Sequence, residues 1–364
     1  MKSGKLIISL AVLALLVGLG TWAYYHVNFS FANFRSQLQM ADWRMIVAGL
    51  GCIYLAYVFR SIRWALLLRP NKHVGLFSLL GTQVIGFSSV AMVGRVADLA
   101  RPYLVAKKTG LELSTQIAVY IVERLFDAGS MALIFSSVIL LAPAGALPHP
   151  EIFRKVGLWG LAGTFAGALF LVLVRMSGGV VASFFEGTIG TVSKGLGHAI
   201  GNKIRSFRTG LNTLRNASDL ALTLGLSLGM WALITLAYIV TARAFSASPQ
   251  LHSLTLAEGM VLMVVSGGAS VFQLPVLGWF TQIGVVATAL SSFFGVAPEP
   301  ATACAATLLL VTFLGIVPVG LIWAQFEHVS LRTVAAESEH AGEGIEEANA
   351  EDRPGEELEE PSGA

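Results

Sequence analysis

Charge is what this chain has least of. Only 13% of its 364 residues are Asp, Glu, Lys or Arg, against about a quarter in an ordinary soluble domain. That shortage excludes a soluble globular protein, and no nucleic-acid partner is expected. Cysteine is scarcer still. Cys52 and Cys304 lie far apart in apolar segments, which excludes a disulfide framework or a thiolate metal site and leaves two small buried apolar residues. The seven histidines are scattered without a ligand pattern. The chain has no Walker loop, nucleophile elbow or dinucleotide fingerprint, so no cofactor is expected and no nucleotide supplies energy.

Hydrophobicity is what the chain does have. Apolar residues make up 55% of it and the mean hydropathy is +0.71. Together these predict an all-α polytopic membrane protein folded as one bundle. The formal net charge of +2 hides an asymmetry. From Glu327 onward twelve acids face only Arg332 and Arg353, which leaves 22 basic and 10 acidic residues in the body. Residues 1–326 therefore form a basic membrane domain suited to anionic lipid. Residues 327–364 read as an acidic, disordered cytoplasmic tail.

Six segments are long and apolar enough to span a bilayer: 6–25, 45–68, 113–142, 156–175, 219–242 and 301–325. Lys2 and Lys5 precede the first, and Trp22, Tyr24 and Tyr25 close it where a cleavage site would want small residues, so it reads as an uncleaved span. Two further apolar stretches, 74–106 and 254–295, are interrupted near their middles by small, polar or helix-breaking residues. Broken segments at membrane depth survive only where they are buried in protein or line a cavity. If both are re-entrant hairpins, the basic clusters at Lys2 and Lys5, Arg60 to Lys72, Lys107 and Lys108, and Lys194 to Arg215 all fall on the cytoplasmic side. Both termini are then cytoplasmic and the hairpins enter from opposite faces, as an inverted repeat would produce. Eight full spans are the alternative, at the expense of placing Lys107 and Lys108 outside. Residues 183–215 carry apolar positions every three or four residues with Lys and Arg off the stripe, an amphipathic helix for the membrane interface or for a partner.

Six charges fall between residues 94 and 127, where a bilayer should be: Arg95, Asp98, Arg101, Glu123, Arg124 and Asp127. A charge at that depth is costly unless it is paired or lines a wet cavity. In the run Gly94-Arg95-Val96-Ala97-Asp98-Leu99-Ala100-Arg101-Pro102 the three charges recur every third residue. On a helix they share a face, with Asp98 bridging both guanidiniums. Glu123 and Asp127 stand one turn apart, placed to neutralise Arg95 and Arg101, to relay protons, or both. Arg60 and Arg63, beside Trp64, tip the local sum to net positive or serve as snorkelling anchors at a helix end. A cationic pocket of this kind suits an anionic head group, a phosphate above all.

These residues carry a family resemblance. The Arg60-x-x-Arg63-Trp64 helix end, the Gly94-Arg95-x-x-Asp98-x-x-Arg101 hairpin and the Glu123-Arg124-x-x-Asp127 helix resemble the membrane domain of lysylphosphatidylglycerol synthase. The Pro/Gly-rich stretch from Leu274 to Val296 is similar to that family's second hairpin. The resemblance implies a multi-pass protein of the bacterial inner membrane that moves or handles lipids, flippase-like, at a site between two halves. In that reading Arg95, Arg101, Arg60 and Arg63 hold the head group. Asp98, Glu123, Arg124 and Asp127 balance charge or relay protons, and Pro275, Gly278 and Gln282 form the opposing gate. Two departures stand out: Met92-Val93 replaces a proline that many relatives carry, and Gln282 stands where relatives often have an acid. The tail is too short and polar for a synthase domain, so enzymatic synthesis is not expected. The expected partners are membrane lipids. The competing reading is a non-transporting protein, alone or as a homo-oligomer, that docks a lipid-modifying enzyme.

Overall fold

A computed structural model describes residues 29–330, except 71, 112, 144–146, 148–149, 191–194, 196, 198–200, 202–215 and 271–276. The expected first span 6–25, most of the amphipathic segment 183–215, Pro275, the Arg95 side chain and the tail from 331 lie outside the described residues. Everything regular among the described residues is helix.

Three unbroken helices are long and apolar enough to cross a bilayer: α2 (Trp43–Leu68), α5 (Leu113–Leu141) and α7 (Ala217–Arg243). Short α1 (Phe31–Met40) precedes them, its N-terminus capped by Ser30, which accepts from the Asn33 amide. The expected span 156–175 falls inside α6 (Pro150–Gly190), which leaves helical geometry at Ser177 with φ −134° and ψ 35°. Beyond that bend Ala182 and the half-buried Val181 and Phe185 pack with Trp64, Leu68 and Val119. α2 and α7 lie antiparallel. The Asp42 amide donates to Ala244 O at 2.9 Å near one end, and Arg63 reaches Ser227 near the other.

Each interrupted stretch forms a hairpin. In the first, α3 (Leu76–Val93) stops at Gly94, whose φ of 95° is open chiefly to glycine. A 3-10 turn (Arg95–Leu99) then leads into α4 (Ala100–Thr109). Pro102 sits in the first turn of α4, where its missing N–H costs nothing. Lys72 Nζ donates to Thr109 O at 2.6 Å and Lys108 Nζ to Ser78 O at 3.2 Å, so the hairpin enters and leaves at one end of the bundle.

The second hairpin follows short α8 (Pro249–His252) and comprises α9 (Leu256–Ala269) and α10 (Leu277–Phe294). A capping box of Thr255 and Glu258 starts α9. Arg243, at the end of α7, donates to Leu254 O at 2.7 Å. Glu299, just past α10, accepts from the Ser30 amide at 3.0 Å. This hairpin therefore opens at the Asp42 end of α2, and the first at the Lys72 end. They enter from opposite faces.

The last apolar stretch, Pro298–Phe326, departs from the single span expected over 301–325. α11 (Pro298–Thr312) ends at Phe313 (φ −133°, ψ −59°), a 3-10 turn covers Leu314–Ile316, and α12 (Val317–Phe326) follows. Pro318 in the first turn of α12 has no N–H with which to continue the ladder. Neighbouring hydroxyls donate to carbonyls at the break. Tyr54 donates its hydroxyl to Gly315 O at 2.9 Å and Ser88 donates to Ile316 O at 3.3 Å. The two largest apolar clusters among the described residues lie at the two ends of the bundle. One gathers Leu254, Met260, Leu290, Cys304 and Leu308 at the second-hairpin end. The other gathers Trp64, Leu67, Leu79, Val105 and Val122 at the first-hairpin end.

Candidate functional site

Depth comes from helix arithmetic. Arg101 stands eight residues before the end of α4 and Glu123 ten residues after the start of α5. At 1.5 Å per residue both lie about 12–15 Å from the first-hairpin face, beyond the reach of simple snorkelling.

At that depth two arginines share two carboxylates. Arg63 donates through Nη2 to Glu123 at 2.8 Å and through Nη1 to Asp127 at 2.5 Å and to Ser227 Oγ at 2.6 Å. The i, i+4 spacing of Glu123 and Asp127 lets one guanidinium fork grip both. Arg101 Nη1 meets Glu123 at 3.2 Å and Gln83 Oε1 at 3.1 Å. The Arg101 guanidinium also packs against Phe87 at 4.5 Å, Tyr120 at 5.1 Å and Trp64 at 5.4 Å, and aromatic faces of this kind stabilise a desolvated cation. Arg63, Arg101, Glu123 and Asp127 are all buried. The ion pairs bolt the tip of the first hairpin to α2 and α5.

Two of these placements differ from the sequence reading. Arg63 is no snorkelling anchor, because the α5 carboxylates one helix away offer an inward partner. Asp98 does not bridge to Arg101: Glu123 captures Arg101, and Asp98 instead accepts from Arg124 Nη2 at 3.1 Å. That pair is half-buried and stands apart from the deep one.

A cavity of about 230 Å³ lies between the hairpins. Arg60, Asp98, Arg124 and Asp127 line one side, and Ser266, Gly267, Ser270 and Gln282 line the other. Thr312 and Phe313, at the break in the last span, also face it. Arg60 points its Nε at Met230 Sδ at 3.4 Å and lies 4.5 Å from the Phe87 ring, but it forms no ion pair among the described residues. Phe87 therefore touches two guanidiniums, the carboxylate-bound Arg101 and the cavity-facing Arg60. Across the cavity, Ser266 Oγ takes hydrogen bonds at 2.8 Å from both the Tyr238 hydroxyl and Gln282 Nε2. Gly278 is buried at the start of α10.

The structure thus brings Arg60, Arg63, Asp98, Arg101, Glu123, Arg124 and Asp127 together, with Gln282 on the opposite wall. Arg63 and Arg101 stand behind the cavity lining, whereas Arg60 and Arg124 form it. Sequence reasoning missed the Tyr238–Ser266 support and the broken span. The break did have a signal in Gly315-Ile316-Val317-Pro318, whose glycine and proline punctuate a helix.

Helical hairpins from opposite faces around a charged cluster at membrane depth define a polytopic membrane protein with an enclosed polar site. Residues 6–320 match the family described as the lysylphosphatidylglycerol synthase TM region. The chain belongs to that family. It matches no curated protein and no solved structure.

Proposed function

We propose that this protein is a flippase-type transporter of a lipid with an anionic head group, polyprenyl phosphates included. It works in a bacterial inner membrane with both termini cytoplasmic, and it moves lipid without chemistry of its own. The observation that carries this reading is Arg60, a guanidinium with no carboxylate partner among the described residues, on the wall of a cavity between oppositely entering hairpins. The four described arginines outnumber the three carboxylates around it, so an entering phosphate removes a charge imbalance. A guanidinium fork matches phosphate oxygens in pairs. Arg124, held by Asp98 at the same wall, is the second contact, and Arg95 completes the expected cationic set. Arg63 and Arg101 act behind them as positioning residues, with Glu123 and Asp127 as their counter-charges. The second hairpin, with Gly278 and Gln282, forms the opposite gate, an arrangement suited to alternating access around a fixed midplane site. The drive is a gradient of ions or of the lipid itself.

The test is movement of fluorescent anionic lipid in liposomes holding only this protein. Arg60→Ala should slow it at least tenfold with the melting temperature unchanged, and Arg60→Lys should restore part, since an ammonium keeps the charge and loses the fork. A folded Arg60→Ala that transports at the wild-type rate overturns the reading. The competing role, docking a lipid-modifying enzyme, expects instead that deleting residues 331–364 or the 183–215 segment abolishes function while Arg60→Ala does not.

A further inference from the structure

The cavity has a second polar wall that a phosphate alone does not use. Gln282, on α10, is only 5% exposed. Its Nε2 is tied to Ser266 Oγ at 2.8 Å, and that oxygen also takes the Tyr238 hydroxyl proton at 2.8 Å. Both lone pairs of Ser266 are thereby engaged and the amide is fixed from behind. Gln282 Oε1, buried on a residue that lines the cavity, has no donor among the described residues. A buried carbonyl oxygen without a partner costs on the order of 1–3 kcal/mol, so an occupant that supplies a donor recovers that loss.

We infer that Gln282 Oε1 is an acceptor subsite that reads an uncharged donor, a hydroxyl, on the head group whose phosphate docks at Arg60 and Arg124. This inference rests on the proposed head-group site and narrows the class of lipid it takes. The donor is uncharged because Ser266, Ser270, Tyr238 and Thr312, which line the cavity with Gln282, are all neutral. The carboxylates on the facing wall are already committed, Asp127 to Arg63 and Asp98 to Arg124. An ammonium placed against Gln282 would lose its water and gain no counter-charge. A hydroxyl gives up one proton to the carbonyl and needs nothing else. The small cavity accommodates a head group while the acyl chains stay among the helices.

Three short-chain phospholipids that differ only in the terminal substituent of the head test this: dihexanoyl phosphatidyl esters with an ethyl, a 2-hydroxyethyl or a 2-aminoethyl head. Affinities are measured by calorimetry on the purified full chain in detergent. The wild type should bind the hydroxyethyl lipid about tenfold more tightly than the ethyl lipid, with the aminoethyl lipid weakest. Gln282→Met, which keeps the length and removes the acceptor, should abolish the preference, so that the variant binds the hydroxyethyl lipid no more tightly than it binds the ethyl lipid. Ser266→Ala, which releases the amide, should weaken the same preference. Equal wild-type affinity for the ethyl and hydroxyethyl lipids overturns the inference, as does a preference that survives in folded Gln282→Met or tightest binding of the aminoethyl lipid. The wild-type comparison needs no variant, so misfolding of Gln282→Met does not shelter the idea. Arg60→Ala separates the two levels. If it binds all three lipids as the wild type does, the head-group site itself is wrong, whereas loss of all three with no wild-type hydroxyl preference sinks only the Gln282 subsite.

Discussion

Gly86 makes the space that Arg101 occupies. A Cβ built on Gly86 would run into Arg101 Cγ, so the α3 backbone and the arginine stem lie in direct contact. That approach lets the guanidinium pass behind α3 to Glu123 and stack between Phe87 and Tyr120. The glycine is thus as much a part of the charged cluster as the ions are.

Gly86→Ala should therefore displace Arg101 and cost about 1–3 kcal/mol through overpacking. The check is thermal unfolding in detergent, read beside lipid movement. Gly51, around which a Cβ would meet nothing, provides the control, and Gly51→Ala should leave both readouts in place. If Gly86→Ala melts and transports like the wild type, the arginine has other routes to Glu123.

Removing Arg63 leaves Asp127 without its cation and Glu123 with Arg101 alone. Arg63→Ala should lose about 3–5 kcal/mol, the range for breaking a buried pair from one side. Arg63→Lys should recover only part, since one ammonium cannot hold two carboxylates and Ser227 in the same plane. An Arg63→Ala protein that melts within a degree or two of wild type would contradict the pairing.

The half-buried Arg124–Asp98 pair behaves differently. Asp98→Asn should change stability by only about 0–1 kcal/mol, as wet ion pairs do. At the same time it releases Arg124 toward the cavity, so binding of an anionic short-chain lipid should tighten. Weaker binding in a folded Asp98→Asn protein would mean that Asp98 contacts the head group itself.

Opposite entry of the hairpins is open to a direct check. With Cys52 and Cys304 replaced by alanine, single cysteines go in at Lys107, in the last turn of α4, and at Ser253, before α9; both positions are exposed. A membrane-impermeant maleimide should label one from the inside only and the other from the outside only. Labelling of both from one side would rule the arrangement out.

Hydropathy and composition made the architecture legible, because in a bilayer each backbone polar group must be satisfied within the segment and only helices do so. The interruption at Gly94 marked the first hairpin for the same reason, whereas Gly267 and Gly268 in the second stretch lie inside α9. The charged cluster was legible as a set, since each member stands alone against apolar neighbours. Its pairing was not. Arg63 looked like a helix-end anchor because a linear reading sees only its own helix, whereas the carboxylates that turn it inward come from α5, sixty residues away. The break in the last span was masked by its high hydropathy, although Gly315 and Pro318 stood in plain view.

What the sequence determined by itself was the class of molecule and the inventory of its site: helices, because the solvent is apolar, and buried arginines and acids, because no other explanation accommodates them at that depth. What only the tertiary structure decided was which cation stays unsatisfied. Four described arginines compete for three carboxylates, and the winners are set by which helix faces meet, a matter of packing between segments distant in the chain. Arg63 and Arg101 fall on the face of α5 that carries Glu123 and Asp127, and Arg124 is left to Asp98. Arg60, one turn before Arg63 on α2, has Met230 and Phe87 for neighbours and the cavity in front of it.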